Sequence, residues 1–62
     1  MTDYFWKVEE AVGGGRYIVW EGIYATREAA EKAIVREGAE SRARAAQYRT
    51  GRGFGPERVE PA

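Results

Sequence analysis

The chain has 62 residues, with ten basic side chains against ten acidic ones and neither cysteine nor histidine. That length bounds it to one domain, and a domain this small buries only about 60% of its unfolded surface. Without cysteine there is no disulfide and no thiolate metal site, and without histidine the commonest acid–base group and metal ligand is missing.

The opening residues Met1-Thr2-Asp3-Tyr4 carry neither a basic flank nor an apolar core, so no signal peptide is read there. No apolar run approaches the ~20 residues of a membrane span. The expectation is a cytoplasmic protein with no membrane contact.

From Tyr4 to Tyr24 lie six of the eight aromatic residues, in two β-rich runs either side of Gly13-Gly14-Gly15. This predicts a hairpin, with the glycines supplying positive φ. Two registers compete. With all three glycines in the loop, Val8 faces Trp20, Lys7 faces Glu21 as an ion pair, Trp6 lies over Gly22 and Phe5 faces Ile23. With only Gly14 and Gly15 turning, the Lys7–Glu21 pair is lost. Cross-strand pairs favour the first register. It puts Tyr4, Trp6, Val8, Val12, Ile18, Trp20 and Tyr24 on a core face. Phe5, Ala11, Tyr17, Val19 and Ile23 share the other face with Lys7, Glu9 and Glu21.

Thr26 reads as a helix N-cap, with Glu28 in the first turn. Ala29, Ala30, Ala33 and Ile34 form a stripe for packing near Trp6 and Trp20, and Arg27–Glu31 and Glu28–Lys32 are spaced as i,i+4 pairs. The stripe does not continue past Gly38. Helix is therefore expected from Thr26 to about Arg49, bent or broken near Gly38. Gly51 to Pro56 must be irregular. Glu57 to Glu60 fit a short third strand at the hairpin edge, or a frayed tail, which is preferred. The expected fold is α+β, an antiparallel hairpin packed on a bent C-terminal helix. Residues 1–50 form the hairpin–helix domain and 51–62 a Gly/Pro-containing tail.

Charge is uneven. Residues 1–40 hold five basic and eight acidic side chains, and residues 41–62 hold five basic and two acidic. The plainer reading is that the halves lie against each other; the sharper one is a basic surface for nucleic acid or an acidic partner. Ser41 is the only serine, and it stands among arginines without a base, while Glu9 with Glu10, and Glu37 with Glu40, read as solvated acids. No enzyme, metal or cofactor is expected. Gly51-x-Gly53-x-Gly55 lacks the lysine of a phosphate loop. Arg52-Gly53-Phe54-Gly55 looks somewhat like the Arg-Gly repeats of RNA-binding tails, where arginine meets phosphate and phenylalanine stacks on a base.

The apolar second face is more than one helix can cover, and exposed apolar patches rimmed by charge mark interaction sites. Candidate partner-binding residues are Phe5, Tyr17, Val19 and Ile23, with Arg42, Arg44, Arg49 and Arg52 as candidate anion contacts. A homodimer or a complex with a larger protein is expected.

The order hairpin, Tyr24-x-Thr26, alanine-rich helix resembles the arm-binding domain of phage-type recombinases over Tyr17 to Ile34, where a small sheet enters DNA. Here Glu9 and Glu10 on the first strand would repel phosphate. In its size and lack of catalytic groups the chain also resembles small phage-encoded inhibitors such as anti-CRISPR proteins. That resemblance implies a non-enzymatic protein that occludes or modulates a larger protein or ribonucleoprotein complex. The alternative is a nucleic-acid-binding module using the arginine-rich segment and the Gly-Arg-Gly-Phe-Gly loop.

Overall fold

Gly14 and Gly15 both take positive φ, +61° and +75°, the backbone that a two-residue primed turn requires and that glycine adopts without steric cost. In the computed structural model, which describes residues 3–51 and 55–59, this turn joins β1 (Tyr4–Gly13) to β2 (Arg16–Val19). Both sequence registers are present in turn. Gly13 pairs with Arg16, then an irregularity between Ala11 and Gly13 shifts the ladder so that Ala11 meets Tyr17, Glu10 meets Ile18 and Glu9 meets Val19. The Trp20 N–H donates to the Val8 carbonyl at 2.9 Å, so Val8 stands against Trp20 as expected.

Beyond Trp20 the expected register fails. Trp6 bridges Tyr24, with hydrogen bonds in both directions of 2.7 and 2.8 Å, and not Gly22. Two extra residues are accommodated between Trp20 and Tyr24, and Gly22 lies against the Tyr24 ring instead. Lys7 donates to the backbone carbonyl of Glu21 at 3.3 Å rather than to its carboxylate.

Helix α1 (Arg27–Arg36) begins at Thr26, whose Oγ1 accepts the Ala29 N–H at 3.1 Å. It ends at a left-handed Gly38 (φ +67°). The Gly38 N–H donates to Val35 and the Ala39 N–H to Ile34, each at 3.0 Å. Buried Ala39 and Ile34 join the same core cluster, which completes a Schellman stop with its apolar contact. The helix therefore does not run to Arg49. Residues Ala43–Arg49 form strand β3, which pairs with β1 from Tyr4↔Arg49 to Glu10↔Ala43. Their helical propensity is overridden because β1 needs a second neighbour, and pairing satisfies its backbone groups.

Strand β4 (Glu57–Arg58) pairs with β3, so the sheet is antiparallel throughout in the order β2-β1-β3-β4. The core lies on one side of it. Val8, Ala30, Ile34 and Ala39 are buried there, with Trp6, Trp20, Tyr24, Ala43 and Ala45 packed around them. Alanine at 43 and 45 lets α1 approach the sheet closely. Tyr4, Val12 and Ile18, expected in this core, are instead about half exposed. Among the described residues no helix is long and apolar enough to cross a membrane.

Candidate functional site

On the sheet face away from α1, Glu9 is 4% exposed. It is not a solvated acid. Its Oε1 accepts Arg44 Nε at 2.9 Å, and its Oε2 accepts the Tyr48 hydroxyl at 2.8 Å and Arg58 Nε at 2.7 Å. Cross-strand pairing places these groups together: Arg44 is opposite Glu9 on β3, and Arg58 is opposite Tyr48 on β4. Burial alone would raise the Glu9 pKa, but the bonds from Tyr48, Arg58 and Arg44 outweigh it and hold the carboxyl below its usual 4.5. Burial, and then the Glu9 carboxylate, push the Tyr48 phenol up to about 12.

Glu10 points to the helix side. It accepts Arg42 Nε at 2.6 Å and the Trp20 indole N–H at 2.8 Å, and these bonds lower its pKa. Arg49 meets Glu57 at 3.0 Å. Of the four arginines offered as anion contacts, Arg42, Arg44 and Arg49 thus each hold a carboxylate of the chain itself; Arg52 lies outside the described residues, as does most of the Gly-Arg-Gly-Phe-Gly loop. Among the described residues no cluster of acidic side chains is placed to hold a metal ion.

The apolar candidates divide. Phe5 is half-buried and stacks on Tyr48, ring centroids 6.1 Å apart. Tyr17, Val19 and Ile23 lie at the other side, by the open edge, 48%, 46% and 67% exposed. The Arg44 guanidinium sits 4.3 Å over the Tyr17 ring, a cation–π contact that presents the tyrosine. Ile18, 49% exposed on the opposite face, belongs to the same strip and not to the core that the hairpin pattern implies for it.

Strand β2 is an edge, exposed at every residue from Arg16 to Val19. It carries no lysine or proline, two usual guards of an exposed edge. The chemistry available here is main-chain hydrogen bonding flanked by apolar side chains on both faces. A separate open cleft between α1 and the hairpin, about 510 Å³, is lined by Trp20, Tyr24, Arg36 and Glu37 among others, and its Glu10 and Arg42 are already bonded to each other. Compared with known proteins, the chain matches no family model, no curated protein and no solved structure.

Proposed function

We propose that this protein is a non-enzymatic binding protein that covers a surface of a larger protein or protein–nucleic acid complex, with strand β2 as its contact edge. One observation carries the reading: β2 is exposed and apolar on both faces, through Tyr17 and Val19 on one and Ile18 on the other. An added strand would gain main-chain hydrogen bonds at such an edge and side-chain contacts above and below it. Arg42, Arg44 and Arg49 are less suited to lead recognition, because each already holds a carboxylate of the chain, on Glu10, Glu9 and Glu57 in turn, and engaging a partner would break that pair. Occlusion of this kind is the mode of action of the phage-encoded inhibitors that the sequence resembles, and cytoplasmic targets suit it.

The test compares the native chain with Val19→Lys, which places a charge on the edge while leaving the helix-side core untouched. A protein captured by the native chain and lost, at least tenfold in affinity, from the folded variant supports the reading. Equal capture by both removes β2 from the site. Binding to random-sequence DNA or RNA that falls steeply with salt would transfer the function to the arginines.

A further inference from the structure

We propose that β2 pairs antiparallel with β2 of a second copy of this chain, about a two-fold axis through Ile18. This rests on the reading of β2 as a contact edge and names one occupant of it.

The Trp20 N–H is bonded to Val8 in β1, and Ile18, two residues back, is opposite Glu10 in the same ladder. Their N–H and C=O groups therefore turn inward. Alternation turns those of Tyr17 and Val19 outward, to the open edge.

A two-fold axis normal to the sheet keeps each face on its own side, so only residues of one face can meet. Centred on Ile18, Tyr17 of each copy is opposite Val19 of the other, and all the outward groups of both residues are bonded. Centred on Tyr17, the pairing would leave Val19 opposite the Gly15 turn. Centred on Val19, it would leave Tyr17 opposite Glu21, beyond the strand. The Ile18 register alone uses the whole edge. It sets Ile18 against its own copy on the helix side and an aromatic against a β-branched side chain on the other, both favourable pairs.

Charge points the same way. Arg16 stands at one end of the strand and Glu21 just past the other. Antiparallel pairing brings these opposite ends together, with Arg16 alongside Trp20 of the other copy. Parallel pairing would superimpose like charges. Four residues of edge fall well short of a standard interface of about 1,600 Å². The pair accordingly forms and separates with concentration, leaving the edge available to a larger partner when the chain is dilute.

The register is tested by cross-linking, since the native chain has no cysteine. Opposed residues of a non-hydrogen-bonded pair have Cα atoms about 4.5 Å apart, within disulfide range, whereas two Tyr17 positions in this register are roughly 8 Å apart and outside it. Under mild oxidation, Ile18→Cys is expected to form a covalent dimer at least tenfold faster than Tyr17→Cys. Light scattering of the native chain, which depends on no substitution, is expected to show mass rising from monomer towards dimer between about 10 μM and 1 mM, the range set by so small an interface. Equal or reversed cross-linking rates overturn the pairing, and so does a native chain that stays monomeric throughout. Neither measurement involves a larger partner, so their failure is separate from failure of the capture test with Val19→Lys.

Discussion

Strands β4 and β2 both border the sheet, but they meet solvent with different chemistry. Strand β4 is two residues long and charged at both. Arg58 reaches inward to buried Glu9, and Glu57 holds Arg49 across the ladder. Strand β2 is exposed over its full length, and Tyr17, Ile18 and Val19 follow Arg16 along it. A short edge occupied by ion pairs cannot readily accept another strand; a longer apolar one can. Exposure alone therefore does not make a docking edge. What matters is whether the edge's side chains already have partners.

The largest expected effect comes from removing the anchor of the closed edge. Glu9→Ala leaves the buried Tyr48 hydroxyl unbonded and releases Arg44 and Arg58, at a cost of roughly 2–4 kcal/mol in denaturant unfolding. Strand β4 should loosen with it, seen as faster exchange of the Val59 amide, which is bonded to Gln47 at 2.8 Å. A change below about 1 kcal/mol would mean that the Glu9 cluster does not close this edge.

The same cluster, together with Glu10 on the helix side, sets a pH dependence with two limbs. Glu9 and Glu10 are held below 4.5 in the folded chain, so their contribution is complete above about pH 4.5 and is lost as pH falls through the lowered values. Tyr48 titrates near 12 when folded and near its ordinary 10 when unfolded. Its contribution is complete below pH 10 and declines as pH rises towards 12. Tyr48→Phe keeps the stack on Phe5 and should abolish the alkaline limb in a pH series of unfolding curves. An unchanged limb would assign it to other groups.

Smaller effects are expected at the backbone positions that aim each edge. A Cβ on Gly51 would collide with the Gly55 carbonyl oxygen and press on the Glu57 side chain, 3.0 Å away. Gly51→Ala should therefore displace the return into β4 and cost roughly 1–3 kcal/mol. Unaltered melting would place that return elsewhere. Gly22→Val acts beside the open edge, where its Cβ would stand 2.6 Å from the Tyr24 hydroxyl oxygen. About 1 kcal/mol is expected, and less in a Tyr24→Phe background, where the closest atom is gone. Equal cost in both backgrounds would point to Trp6, the neighbour that the sequence register implied.

Local signals in the chain were legible where the physics is local. Thr26 caps α1, Gly38 stops it, and Val8 meets Trp20, each for a reason contained in a few adjacent residues or one hairpin. Strand β3 was not legible, because Ala43, Arg44, Ala45, Ala46 and Gln47 are good helix formers and their alternation does not separate apolar from polar. They become a strand only because β1 has an unfilled side and α1 needs small residues beneath it. Glu9 was hidden for the same kind of reason. Its partners lie 35, 39 and 49 residues away along the chain, and no local spacing records them. Of the candidate contacts, the exposure of Tyr17 and Val19 was readable from the hairpin; Ile23 is exposed too, but without the Phe5 pairing that the hairpin register implied, and the ion pairs of Arg42, Arg44 and Arg49 depend on the unforeseen strand.

The interior strand β1 has consequences for the order of assembly. Its hairpin partner is adjacent in sequence, but its other neighbour arrives only at Ala43–Arg49, beyond the whole helix. Closing that ladder requires a long loop, and loop closure must precede the contacts that reward it. Until then, the hairpin and helix leave the far side of β1 bare and Glu9 charged without Arg44, Tyr48 or Arg58. A fragment that stops short of β3 would thus carry two unguarded edges, β2 and the far side of β1, where the whole chain ends its second edge in the ion-paired β4, and would be prone to aggregate.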